Sequence, residues 1–318
     1  MTRRSQWLPD RLRCWLDQRR IQNALRHLDA TRPFPAADPH RADAEVHMLL
    51  CRRDLALGVL ALKSLLRFEP DRLAVMVSDD GTLSPSDRQW VQRHVPNCGW
   101  LAWPARVPVI EQAIAMRPAT ASLYHGGRFP LICKVLHPIA AARCENVIVL
   151  DPDTAFFMPP RQLLQWVRGR EHTPLYMHDR QDEAVTVTPQ LRRSFNQLLP
   201  QVASSNHTYE LAYWLFNSGL LAFEPSQLDL DIAERYFQWS KGHAYRDRRD
   251  RMSIWFGYWT REQTAYQFMF AAAEPRPQPF GDEYFLGGGS GYAFNHFLRH
   301  YLVRDETLDQ LRELIEQL

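Results

Sequence analysis

The apolar run Val147 to Leu150 ends abruptly in Asp151-Pro152-Asp153, and few folds accommodate such a junction. A run without polar alternation is covered on both faces, as a strand is inside a parallel sheet flanked by helices. Two carboxylates one residue apart at its end repel each other unless positive charge stands between them. Pro152 fixes its own φ and restricts Asp151, so the turn holding the pair is stiff.

The rest of the chain supplies that sheet. Val46 to Cys51 and Leu73 to Ser78 are further strands, and Leu101 and Trp103 mark a third short one. Between them, Leu55, Val59, Leu62 and Leu66 recur at helical spacing over Leu55 to Arg67, with Gly58 inside the helix. Ser84 caps the next helix, Val109 to Met116 forms another, and Leu131 to Ala142 is helical but kinked or interrupted at Pro138. Strands alternating with helices predict an α/β fold with a Rossmann-like, mainly parallel central sheet flanked by helices. Ligands of such sheets bind at the carboxyl ends of the strands. Asp79, Asp80, Asp151 and Asp153 all fall there.

The second half is less regular. Trp214 to Phe223 is predicted as a strand containing Asn217-Ser218-Gly219; Asp231 to Trp239 and Glu262 to Ala272 are predicted helices. Lys241 to Trp259 is a loop dense in charge and aromatics, and Gly287-Gly288-Gly289 is a turn. Asp305 to Leu318 closes the chain as a helix with Leu308, Leu311, Leu314 and Ile315 on one face. The expected organisation is a basic helical extension and linker over 1–40, one main domain over 41–304, and a C-terminal helix over 305–318.

A formal net charge of +2 gives no argument for a nucleic-acid partner. The five cysteines, Cys14, Cys51, Cys98, Cys133 and Cys144, include no CxxC pair, so neither a zinc knuckle nor a redox dithiol is expected. Cys51 and Cys133 lie in apolar runs and are expected to be buried thiols. The first twenty residues lack a continuous apolar segment, so no signal peptide is expected and the predicted location is cytoplasmic. Leu8, Leu12, Trp15 and Leu16, then Ile21, Leu25 and Leu28, recur at helical spacing among several arginines. That helix packs on the domain or touches the inner face of a membrane peripherally.

Hard oxygen ligands beside a substrate phosphate suit Mg²⁺ or Mn²⁺. The same pair also fits two exposed turn aspartates capping nearby amides. The segment 144–157, with Asp151-Pro152-Asp153 at its centre, resembles the DxD strand of fold-A nucleotide-diphospho-sugar glycosyltransferases, above all the family 8, glycogenin-like enzymes. Lys134 on the preceding helix, the strand Asn217-Ser218-Gly219, the pair Glu262-Gln263 and the step His296-Phe297 follow that family's order. His300-Tyr301 offers a second His-aromatic step, and the family's usual first-strand tyrosine is not found after Leu50.

The resemblance implies a metal-dependent glycosyltransferase acting with retention. Mn²⁺ (or Mg²⁺) would sit on Asp151, Asp153 and His296 or His300. Asp79, Asp80, Lys134, Asp151, Ser218 and Gly219 would bind a nucleotide-diphosphate sugar, UDP-sugar first, and Glu262, Gln263 and Asn217 would act near the anomeric carbon. The acceptor would be a carbohydrate, lipid or protein. Asp282 and Glu283 are candidate bases if the reaction inverts, and Trp255, Phe256, Tyr258 and Trp259 with Arg246, Arg248, Arg249 and Arg251 form a candidate acceptor platform. Two alternatives remain: a haloacid-dehalogenase-like phosphohydrolase with Asp151 as nucleophile and Asp153 as acid/base, or a non-catalytic sugar-nucleotide-binding module.

Overall fold

The computed structural model describes residues 10–104, 106–127, 129–169, 172–178, 216–243, 261–297 and 299–318. Of the predicted loop Lys241 to Trp259, residues 241–243 instead continue a helix, and the rest, with its aromatic and arginine-rich stretch, lies outside the described residues. In chain order the elements are α1 (Asp10–Ala24), β1 (Ala44–Leu50), α2 (Leu55–Leu66), β2 (Leu73–Asp79), α3 (Pro85–His94), β3 (Gly99–Ala102), α4 (Pro108–Ile114), α5 (Pro118–His125) and α6 (Ile132–Ala140). There follow β4 (Val147–Leu150), β5 (Thr154–Phe156), α7 (Arg161–Arg168), β6 (Leu175–His178), β7 (Phe216–Phe223), α8 (Leu230–His243) and α9 (Arg261–Ala271). β8 (Gln278–Pro279), β9 (Tyr284–Leu286), β10 (Phe294–His296), α10 (Arg299–Leu302) and α11 (Asp305–Glu316) complete the chain.

Seven strands form one sheet in the order β3-β2-β1-β4-β7-β6-β8. The first four run parallel, and β7 pairs antiparallel with both β4 and β6. Chain order runs outward from β1 through β2 to β3, then returns to β4 on the other side of β1. The gap between the carboxyl ends of β1 and β4 is therefore the topological switch point, where open α/β sheets bind ligands. A second sheet, β5-β10-β9, begins after the three residues Asp151 to Asp153 that follow β4. The three-residue strands of this small sheet carry too short a pattern to be told from turn in the sequence. α5, α7 and β6 were likewise not predicted.

The central strands are buried on both faces as expected. Val46, Met48, Leu50, Ile148 and Leu150 enter one apolar cluster with α2 and α11, while Val147, Val149 and Leu221 enter a second with α6 and α9. Gly58 has a packing reason: a Cβ there would lie 2.5 Å from Leu50 Cδ1 and 3.0 Å from Met48 Sδ. Ser84 caps α3, accepting from the Asp87 amide while Asp87 accepts from the Ser84 amide. Cys133 is buried, but Cys51 departs from expectation. It is the first residue beyond β1, half-buried, and its thiol donates to Asp54 at 3.2 Å. Pro138 lies inside α6 without interrupting it. Ile21, Ala24, Leu25 and Leu28 pack into the same cluster as Leu308, Leu311, Leu314 and Ile315.

Lys63 on α2 is fully buried, with its ammonium on Thr31 Oγ1 and 3.4 Å from His94 Nδ1. Burial, with a smaller contribution from Arg32 and against the pull of Asp29, brings its pKa down to about 8. A base whose pKa falls on folding destabilises the native state wherever the unfolded chain holds the proton. The penalty is therefore whole below about pH 8 and fades as pH rises towards the ordinary lysine value. Lys63→Met is expected to be more stable than the native chain by about 3 kcal/mol near pH 7. That advantage should shrink as pH approaches 10; equal differences in urea unfolding at both pH values would contradict it.

Candidate metal and donor site

The site begins where β4 ends. The Asp151 amide donates to Gly219 O at 2.9 Å, extending the β4–β7 ladder by one residue. The Phe297 amide donates to Asp153 O at 2.7 Å, and His296 pairs with Thr154 in the small sheet. The two sheets thus bring His296 against the aspartate pair, though the chain separates them widely. One ligand atom from each of Asp151, Asp153 and His296 lies within 4.8 Å of the others. His296 Nε2 is 3.3 Å from Asp153 Oδ1 and 3.8 Å from Asp151 Oδ2. Of the two candidate histidines, His296 joins the aspartates; the side chain of His300 is outside the described residues.

The orientation of His296 follows from its other nitrogen. Asn217 Oδ1 accepts from the Gly219 amide at 2.7 Å, which identifies that atom as an acceptor, and it lies 3.1 Å from His296 Nδ1. Nδ1 therefore carries the proton, and Nε2 faces the carboxylates. Burial works against a charged imidazole, but Asp153 and then Asp151 outweigh it and hold the His296 pKa above its ordinary value. Burial likewise pushes the Asp153 carboxyl up, yet His296, its own backbone amide and Lys134 bring it below the usual carboxylate range. The two carboxylates call for positive charge at this point. Two hard oxygens and an imidazole nitrogen are a donor set that fits Mn²⁺ or Mg²⁺.

Lys134 supplies further positive charge. Its ammonium is buried, 2.5 Å from Asp151 Oδ1, and donates to Ser218 Oγ at 3.1 Å. Ser218 Oγ lies 3.5 Å from Gln263 Oε1, and Gln263 Nε2 donates to Phe216 O at 2.8 Å. Lys134, Asp151, Ser218 and Gln263 thus form one connected polar group, while Asn217 and Gly219 border His296. Glu262 is buried at the start of α9, near the Tyr266 phenol. That phenol is held neutral by burial first and by the charges of Glu262 and Asp151 in addition.

Two contributors escaped the sequence reading. Pro138 has no amide proton to offer the carbonyl of Lys134 four residues earlier; the Tyr266 hydroxyl donates to that oxygen instead, at 2.6 Å. The vacated helix bond thereby fastens Lys134 to α9. The usable signal was the Lys134–Pro138 spacing, but only the fold shows which donor answers it. Tyr266→Phe leaves this buried carbonyl unsatisfied and is expected to lower stability by about 1–3 kcal/mol, read by urea unfolding; no change would contradict the assignment. The second is Arg53, in the turn after β1. Its hydrogen bond to Asp54 chiefly raises its pKa, burial opposes, and the charges of Asp54, Cys51 and Asp153 add to the rise.

Asp79 and Asp80 stand at the same sheet edge but are engaged in their own turn. Asp79 Oδ1 accepts from the amides of Gly81 and Leu83, and its Oδ2 pairs with Arg88 at 2.6 Å. Asp80 Oδ1 accepts from the Thr82 amide and hydroxyl. Glu283 Oε1 lies 3.5 Å from the Gln162 amide.

No protein-family model matches this chain, and no curated protein matches it in sequence. Among solved structures it is similar to the galactosyltransferase LgtC in complex with donor and acceptor sugar analogues. The TM-score is 0.51 at 15% identity, over 86% of this chain and 96% of that one. It is also similar to the bifunctional glycosyltransferase WbbM in its apo form, with TM-score 0.51 and 12% identity, over 88% of this chain and 50% of that one. This chain thus spans about half the length of WbbM. Mouse xyloside xylosyltransferase 1, apo form, aligns at TM-score 0.49 and 12% identity over 81% of this chain and 98% of its own. The chain has the glycosyltransferase A fold, with its mostly parallel seven-stranded sheet between helical layers.

Proposed function

We propose that the protein is a divalent-cation-dependent glycosyltransferase that moves a sugar from a nucleotide-diphosphate sugar to a carbohydrate, lipid or protein acceptor, with retention at the anomeric carbon. One observation carries the reading: Asp151, Asp153 and His296 converge at the switch point of the sheet, with Lys134 beside them. The fold shared with LgtC, a galactosyltransferase by name, supports it. A UDP-sugar is the first donor to test.

The reaction breaks the bond between the anomeric carbon and the diphosphate oxygen, forms one to an acceptor hydroxyl oxygen, and passes that hydroxyl's proton to the departing diphosphate. Mn²⁺ or Mg²⁺, held by Asp151, Asp153 and His296, would act as a Lewis acid towards the charge that builds on the leaving diphosphate. Lys134 adds fixed positive charge on the same edge, already oriented by Asp151 and Ser218. Asn217 keeps Nε2 of His296 turned to the carboxylates. Gln263, whose Oε1 lies 3.5 Å from Ser218 Oγ, offers a neutral amide that would orient a sugar without attacking it. This fits the retention implied by the glycogenin-like resemblance, without a covalent carboxylate intermediate. Glu262, beside it on α9, is the nearest acid in sequence and the first to vary if a covalent intermediate is trapped.

A thermal-shift screen of UDP-, GDP- and other nucleotide sugars, each with and without Mn²⁺, tests the class. A rise in Tm that needs both donor and cation is expected. Stabilisation by no nucleotide sugar with any divalent ion would remove the reading. Release of inorganic phosphate from phosphate monoesters at a rate above nucleotide-sugar turnover would favour the phosphohydrolase. Binding without transfer or donor hydrolysis would favour the non-catalytic module.

A further inference from the structure

α1 and the turn after it carry two apolar stripes that point in opposite directions. Ile21, Ala24, Leu25 and Leu28 are buried in the core. Leu12, Trp15 and Leu16 recur at i, i+3 and i+4, and the helical repeat sets them about half a turn away from Ile21. They are 42, 49 and 38% exposed. Gln18, on the inner side, donates to Arg53 O at 3.1 Å, which fixes the outer stripe towards solvent. Among the described residues six large hydrophobic side chains are exposed, and three of them form this stripe. Among the described residues, none of the three belongs to a core cluster.

Charge is concentrated in the same stretch of sequence. Residues 1–28 hold seven arginines and two aspartates, a formal +5 in a chain of net +2, leaving −3 for the remainder. The Arg19 guanidinium lies 4.3 Å over the Trp15 ring, at the border of the stripe. Further along, Arg26, Arg32 and Arg312 border a cavity of about 560 Å³ between the end of α1, the Thr31 segment and α11. Arg20, by contrast, is paired with Asp305.

We propose that this face docks on an anionic lipid bilayer, with Leu12, Trp15 and Leu16 in the interface and Arg19, Arg26 and Arg32 against headgroup phosphates. A Trp-bearing apolar stripe edged by arginines suits the headgroup–acyl boundary, where long basic side chains extend to the charged layer. A second copy fits less well, because it would bring two segments of +5 together. The surface shares no residue with the aspartate–histidine cluster, so it stands or falls apart from the proposed transfer reaction. Among the described residues no helix is long and apolar enough to cross a membrane, so contact through this face is peripheral.

The test is sedimentation of the full chain with vesicles of phosphatidylcholine alone and of phosphatidylcholine with about one-third phosphatidylglycerol. Binding at least about tenfold tighter to the anionic vesicles, weakened by salt, is expected. Leu12→Gln/Trp15→Gln/Leu16→Gln should reduce it by at least about tenfold with Tm unchanged, because the three side chains are exposed. Arg19→Gln/Arg26→Gln should reduce it as well. Equal binding to neutral vesicles, undiminished binding of the triple variant, or absence of binding overturns the proposal. So does a dimer, seen by light scattering, that the triple variant converts to monomer.

Discussion

Asp153→Ala is expected to remove the donor- and Mn²⁺-dependent rise in Tm and to lower kcat/KM for sugar transfer at least about a thousandfold. The expectation rests on an asymmetry within the pair. Asp151 Oδ1 is taken by Lys134 at 2.5 Å, leaving Oδ2 to face His296 at 3.8 Å. Asp153 approaches His296 more closely, at 3.3 Å, and among the described residues no lysine or arginine pairs with it. It is therefore the carboxylate better able to hold a cation. The backbone role of Asp153, accepting from the Phe297 amide, survives in alanine, so the variant should fold. Stability without metal should fall only modestly, because the Asp153 carboxylate is about one-third exposed and its loss leaves His296 beside Asn217 and Asp151. Retention of full Mn²⁺-dependent turnover in a folded Asp153→Ala protein would show that the cluster is not the centre of the chemistry.

Gly219→Ala is expected to cost both stability, about 1–3 kcal/mol, and most of the cation affinity. A Cβ at Gly219 would stand 2.3 Å from His296 Nδ1, 2.4 Å from His296 Cε1 and 2.9 Å from Asn217 Oδ1. None of these atoms is the far end of a mobile chain: the imidazole is wedged between Asn217 and Asp153, and Asn217 is tied to the Gly219 amide. The ring must move, and its move breaks the alignment of Nε2 with the carboxylates. Gly58→Ala is the control. Its Cβ meets Leu50 Cδ1 at 2.5 Å in the core, so it should lower stability without changing Mn²⁺ affinity. Titration calorimetry with Mn²⁺ and urea unfolding on both variants separate the effects. Equal losses of affinity in the two would mean that general destabilisation, and not displacement of His296, is the cause.

Much of the parallel half was legible before any coordinates. β4 and the first five residues of β2 are continuous apolar runs, β1 is mostly apolar but carries Glu45 and His47, and α2 and α11 carry their apolar residues at helical spacing; such patterns report burial directly. The Asp151-Pro152-Asp153 turn, falling just past a doubly buried strand, located the candidate site by position alone. Cys51 was misplaced because an apolar run does not announce its last buried residue, and one step beyond β1 the chain already meets the polar edge.

What the sequence determined by itself was local: which segments are buried on two faces, where they stop, and which charged residues stand at the stops. Tertiary structure decided everything that depends on chain ends meeting. It set β7 antiparallel against β4, so that Gly219 and Asn217 reach Asp151 and His296. It built a small sheet from three-residue strands too short to show periodicity, and that sheet delivers His296. It paired the carbonyl freed by Pro138 with Tyr266, and it turned Leu12, Trp15 and Leu16 away from the core that Ile21 enters. Burial is written in the order of apolar residues, because each side chain carries its own transfer free energy. Which distant partners meet is written only in the packing of the whole, because register and hydrogen bonding between remote segments leave no local pattern.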